Sequence, residues 1–229
     1  MELCTLHPYD PETVARYVAA VVAGDGSVPA EARRGYPLAL GGDERGANAV
    51  SLGLAQELAR VQPSFLQIGM GLSILEARID RGVGMLLRPP SRLFGDAGLD
   101  LRAARAMPIR LDLSRGMMGG AHIPPRLVPD LERLLETRTE RFLRRLIDAE
   151  LDAVATMGLL LAACAHARER GLGLYEALDA IGPNGEGADG GLVLADRKRI
   201  EPGLRRRLED AAKPPKKPGL AARLLGRRS

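Results

Sequence analysis

Residues 129–170 contain no internal proline and only one glycine, Gly158. A stretch with so few breakers strongly favours helix, and its apolar residues agree: Leu131, Leu134, Leu135, Phe142, Leu146, Leu151 and Val154 recur at helical spacing among charges. Glu140 precedes Arg144 by one turn, the favourable order for an i,i+4 pair. The segment reads as one long helix, or as a helical pair broken near Asp148 or Gly158. Residues 153–165 are apolar nearly all round, which places them inside a bundle. The expected fold is therefore mainly α, a helical bundle core with a few short strands, with α+β as the alternative.

Local signals mark further elements. Asp10-Pro11-Glu12 supplies a capping carboxylate, a first-turn proline and a first-turn acid. Val14, Tyr17, Val18, Val21 and Val22 follow as a stripe, and Gly24 ends it. Tyr36, Leu38 and Leu40 suggest a short strand. Asn48 is placed to cap a helix carrying Val50, Leu54, Leu58 and Val61, with Pro63 after it. Residues 65–74 fit both periods. The S-x-x-Q form at Ser64–Gln67 and a stripe reaching Ile79 favour helix, although Gly69 and Gly71 each cost a helix about 1 kcal/mol. Ile109, Leu111 and Leu113 alternate with polar residues as a strand does. Leu174 to Ile181 reads as a last short helix, and the Gly-rich stretch 184–191 as a loop.

The net charge of +4 is unevenly distributed. Residues 197–229 hold twelve Lys and Arg against three acids, so this segment carries +9 and residues 1–196 carry −5. The expected division is a globular, mostly helical body over 1–196 and a disordered basic tail over 197–229. Met1-Glu2 opens with neither a basic nor an apolar signal segment, and 153–165 is shorter than the about 18 residues a membrane span needs. Cys4 and Cys164 lie too far apart for a metal motif or a disulfide framework. Together these point to a soluble, cytoplasmic chain. Trp is absent and aromatics make up 3% of residues, which argues against stacked bases.

Gly41-Gly42-Asp43-Glu44 is similar to the signature tetrapeptide of diguanylate cyclases, over those four residues alone. Arg45 stands where that family has Phe, and no companion motif precedes it. The same segment has the glycine spacing of a P-loop, but Ala47 and Asn48 replace the required Lys and Ser/Thr. A turn before a helix is the reading that remains. His122 is the one catalytic candidate. It sits in the 116–125 loop between the 109–113 strand and the longest helical segment, where glycines allow close approach. A site there requires a concave, partly apolar pocket shared with an acid or Arg, for which Arg115 and Asp112 are the candidates. His7 reads as part of the start of the first helix. Cys164 and His166 are two apart on a presumed helix and face different ways. No motif implies a cofactor or a metal.

The C-terminal segment carries the candidate partner-binding residues: Arg205, Arg206, Arg207, Lys216, Lys217, Leu220, Leu224, Leu225, Arg227 and Arg228. Its leucines gather on one helical face behind a Lys-Pro run, the form of a tethered docking peptide. The expected function is a non-enzymatic binding or adaptor protein recruited by this tail to a protein partner or an anionic surface. The alternatives are a small enzyme with its site near the 116–125 loop, and nonspecific nucleic-acid binding through the tail. No oligomeric state follows from the sequence.

Overall fold

In the computed structural model, residues 3–68, 71–101, 120–182 and 184–214 are described. Among the described residues five strands form one mixed sheet: β1 (Leu3–Tyr9), β2 (Ser64–Ile68), β3 (His122–Ile123), β4 (Gly173–Leu178) and β5 (Leu192–Leu194), in the order β3-β4-β1-β2-β5. β1 is central and antiparallel to both neighbours, pairing Leu6 with Phe65 on one side and with Glu176 on the other. β5 adds parallel to β2, and β3 adds antiparallel to β4.

Helices cover both faces of the sheet. On one face lie α1 (Pro11–Ala23), α2 (Ala30–Leu40) and α3 (Glu44–Val61), packed with Tyr9, Tyr175 and Ala177. A short α4 (Leu72–Ile74) runs into a π-helical turn, Leu75–Ile79, and α5 (Pro90–Asp96) follows. On the other face lie α6 (Val128–Thr137), α7 (Thr139–Asp148) and α8 (Ala153–Arg170), packed with Leu6, Phe65, Ile123 and Leu174. α9 (Pro202–Ala212) closes the described chain. The expected helical content is present, but the fold is α+β, because a sheet rather than a bundle organises the core. No helix among the described residues is long and apolar enough to cross a membrane.

Where signals are local, residues and structure agree. The Asp10 carboxylate accepts the Thr13 N–H at 2.8 Å, Pro11 takes the first turn of α1, and Gly24 closes it. Asp43 likewise accepts the Arg45 and Gly46 N–H groups, so the Gly41–Glu44 tetrapeptide is the turn between α2 and α3. Asn48, expected as the cap, lies inside α3.

The 129–170 stretch divides into three helices. The first break, at Arg138, has no glycine or proline. Thr137 and Thr139 bond back to the carbonyls of Arg133 and Leu135 at 2.7 and 2.9 Å, competing with the regular ladder. Arg138 itself turns to Asp80, 2.9 Å away. The second break lies beyond Asp148, where Glu150 adopts a positive φ of 58° and Asp152 caps α8. Gly158 is no break; it lets Ile200 approach α8 closely.

Four expectations are corrected. Ser64–Ile68 is strand, with helix only from Leu72. Gly173–Leu178 is strand, not helix. Tyr36, Leu38 and Leu40 belong to α2, and Leu38 and Leu40 are exposed. His7 lies in the middle of β1 rather than at a helix start. The two central strands share one cause: with helices on both faces, every position of β1 and β4 is buried, so neither shows the alternation that betrays a half-buried strand. The 109–113 strand lies outside the described residues. The charge boundary at 196/197 is also not a packing boundary, since Leu208 of α9 is 2% exposed and joins the core under α7 and α8. Charge composition reports solvation, while one apolar face suffices to dock a basic helix.

Candidate functional site

The site is built where β1 ends. Tyr9 closes β1 and Asp10 starts α1, so Pro11, Glu12, Val14 and Ala15 form one wall of a cavity of about 460 Å³. α5 supplies Arg92, Leu93, Asp96 and Ala97 opposite. The floor is His122 of β3 with Arg88, and Pro124 to Arg126 complete the rim. This volume is in the range of small-molecule sites.

His122 is held by main chain on both sides. It pairs with Tyr175 of β4, and across its other edge with Arg88. The chain reaches this position through Gly120, at φ +57°. A Cβ there would lie 2.6 Å from the Tyr175 hydroxyl and 2.7 Å from that of Ser51, so both the conformation and the space call for glycine. Those two hydroxyls bond each other at 2.7 Å.

The imidazole is 2% exposed, and the Tyr9 ring meets it edge-on at 5.9 Å between centroids. Its Nδ1 is buried without a hydrogen-bond partner. Burial first, then the charges of Arg88 and Arg92, push its protonation down to about 3, so the ring is neutral across ordinary pH. Burial, with the Asp96 charge, holds the Tyr9 phenol protonated. The Arg88 guanidinium donates through Nη1 to the carbonyls of Met85 and Leu87, both at 2.8 Å, which orients it. The site therefore offers a neutral imidazole, a protonated phenol, three guanidinium groups and two carboxylates beside apolar side chains.

Comparison with protein-family models, with curated proteins and with solved structures finds no match to this chain. The site has to be read from its own chemistry.

Two other buried clusters carry reactive residue types. Ser64 Oγ lies 3.2 Å from His7 Nδ1, His7 Nε2 lies 2.7 Å from Thr5 Oγ1, and Thr5 Oγ1 donates to the Ala177 carbonyl at 3.1 Å. Since the Thr5 proton is committed to Ala177, the chain of donors runs from Ser64 through His7 to Thr5. This resembles a nucleophile and its base, but all three side chains are fully buried and line no cavity described here. Burial keeps His7 neutral, its protonation pushed down to about 3, and the network joins β1 to β2. The second cluster is Glu176 of β4, also fully buried. Its carboxylate receives the Ser73 hydroxyl at 2.5 Å and the Ser73 N–H at 3.2 Å, at the start of α4. Burial raises it to about 7 against those hydrogen bonds. Gly71 passes so close to Glu176 that no side chain fits.

Sequence reasoning found His122 but not its company. Arg115 and Asp112, its expected partners, lie outside the described residues, and the 41–46 turn lines no part of the cavity. Tyr9 comes from β1, Arg88 from the segment before α5, and Arg92 and Asp96 from α5, and no local spacing connects any of them to residue 122. Among the described residues no group of three or more His, Cys, Asp or Glu could hold a metal ion. Cys164 is buried in α8, where burial raises its thiol and favours the protonated form. Of the tail residues, Arg205, Arg206 and Arg207 lie on α9. Arg205 pairs with Glu209 at 3.9 Å, while Arg206 and Arg207 are exposed. Lys216, Lys217, Leu220, Leu224, Leu225, Arg227 and Arg228 lie outside the described residues.

Proposed function

We propose that the cavity bordered by His122 is a small-molecule site, and that His122 is the group that meets the ligand. The observation that carries this reading is a buried, neutral imidazole bordering a concave cavity together with three guanidinium groups, Arg88, Arg92 and Arg126. The chemistry available is hydrogen bonding and proton transfer by a neutral imidazole, which makes the chain a candidate enzyme of the acid–base class.

The test uses the full chain with labelled histidine, whose three imidazoles His7, His122 and His166 are separable by substitution. A panel of amino acids, dicarboxylates, sugars, sugar phosphates and nucleotides is screened for displacement of the His122 ring resonances. At least one class is expected to move them and to lose that effect in Ala15→Trp, which fills the cavity from an exposed helix position. Binding that leaves His122 unmoved and is indifferent to Ala15→Trp would overturn the reading.

A second reading is recruitment to a protein partner or an anionic surface through the C-terminal segment, supported by the exposure of Arg206 and Arg207 on α9. Purely electrostatic capture weakens steeply with salt, whereas docking of Leu220, Leu224 and Leu225 does not. Retention of every partner by a Leu224→Ala, Leu225→Ala variant at physiological salt would remove the docking form of this reading.

A further inference from the structure

We propose that the ligand of the His122 cavity carries a compact oxyanion, a carboxylate or phosphate group, seated among Arg88, Arg92 and Arg126, and that His122 takes up one proton as it binds. This rests on the reading of the cavity as a ligand site.

The geometry carries the first half. Three guanidinium groups border one cavity of about 460 Å³, each from a different segment: Arg88 before α5, Arg92 on α5, Arg126 in the turn before α6. Arg88 is oriented by the Met85 and Leu87 carbonyls, which leave its charge uncompensated. Arg92 and Arg126 make no ion pair among the described residues. The carboxylates bordering the cavity do not neutralise the group: Glu12 reaches towards Arg16 at 3.8 Å, and Asp96 stands exposed. Planar forks of this kind match carboxylate and phosphate oxygens two at a time, and they stand beside an apolar wall of Val14, Leu93 and Pro124, with Arg88 half-buried and Arg92 and Arg126 exposed.

The second half follows from what faces His122. Tyr9 meets it from β1, Tyr175 from β4, Glu12 from α1, Arg88 from the adjoining edge, Arg92 and Asp96 from α5, and Arg126 from the far rim. Tyr175 is engaged with Ser51, and both phenols stay protonated through burial. The imidazole is thus enclosed beside two cations that oppose its charging. An arriving oxyanion cancels that field and offers an acceptor to an N–H, so the occupied site holds a proton at higher pH than the empty one. Linkage then requires anion affinity to fall as pH rises between the midpoints of the empty and the occupied site, by up to about tenfold per pH unit for one proton, and to level off above them.

Inorganic sulfate is the probe, because it does not itself titrate between pH 5 and 8; malonate and inorganic phosphate represent the two oxyanion sources. The full chain is titrated at constant ionic strength across that range while the His122 ring resonances are followed. Expected are saturable binding that tightens towards acid, movement of His122 to its imidazolium position, and a loss of tenfold or more in Arg92→Gln. His122→Asn should bind with affinity independent of pH. Sulfate that binds without protonating His122 overturns the proton coupling, and equal binding by Arg92→Gln marks an adventitious ion only. If none of the three anions binds while a neutral compound of the panel displaces His122, the oxyanion inference fails and the small-molecule reading stands. If nothing displaces His122, both fail.

Discussion

Arg88 and His122 exchange two backbone hydrogen bonds, from Arg88 N to the His122 carbonyl at 2.8 Å and from His122 N to the Arg88 carbonyl at 3.0 Å. The main chain thereby fixes a guanidinium and a buried imidazole side by side at one cavity. Arg88→Gln keeps the backbone pair and removes one of the two positive charges that oppose protonation of His122. The His122 midpoint should rise from about 3 yet stay below the ordinary 6.5, because burial is the larger cause. Histidine-resolved NMR titration reads this directly. No movement would mean that the Arg88 charge is screened from the ring.

Gly120→Ala tests how tightly the site is built. The substitution meets a positive φ and two hydroxyls within 2.7 Å, so a loss of roughly 1–3 kcal/mol is expected by denaturant unfolding. Ser51→Ala in the same chain removes one of those hydroxyls and should recover part of the loss. Absence of any recovery would place the cost in the Tyr175 contact and the backbone conformation.

Glu176→Gln separates a buried carboxyl from the rest of the pH profile. Its protonation is raised from 4.5 to about 7, so the folded state holds more protons than the unfolded state between those values. The stability this contributes is present below pH 4.5 and lost as pH rises through 7. The difference in unfolding free energy, wild type minus Glu176→Gln, should therefore fall by roughly 3 kcal/mol from pH 4 to pH 8. His7 and His122 act in the opposite sense, adding stability as pH rises from about 3 towards 6.5, and they cancel in this difference. A flat difference across the range would show that Glu176 titrates as it does when unfolded.

α9 tests where the folded body ends. Leu208→Ala should cost about 2–4 kcal/mol, since a leucine 2% exposed leaves a cavity between α7 and α8. Truncation after Asp196 should lower the thermal midpoint further, because it also removes Ile200, which lies against Gly158, and Leu204. An unchanged midpoint after that truncation would restore the charge boundary as the structural one.

Much of the helical framework was legible from residues alone. Asp10, Pro11 and Gly24 bound α1, because a cap acts over three or four residues and leaves its mark at that spacing. The break after Asp148 and the turn at Gly41–Glu44 are local in the same way. What the sequence by itself determined, then, is α1, most of α3, the helical character of 129–170, the turn before α3, and His122 as the catalytic candidate. The tertiary structure decided the rest. β1 and β4 are strands because their partners lie far along the chain and helices bury both their faces, which erases period-two alternation and overrides the helix-forming Leu, Glu and Ala of β4. The cavity exists because Tyr9, the Arg88–Arg92 stretch and His122, set in three separate segments, meet at one edge of the sheet. Each is held there by long-range pairing or packing, and such contacts have no spacing that a linear pattern can record.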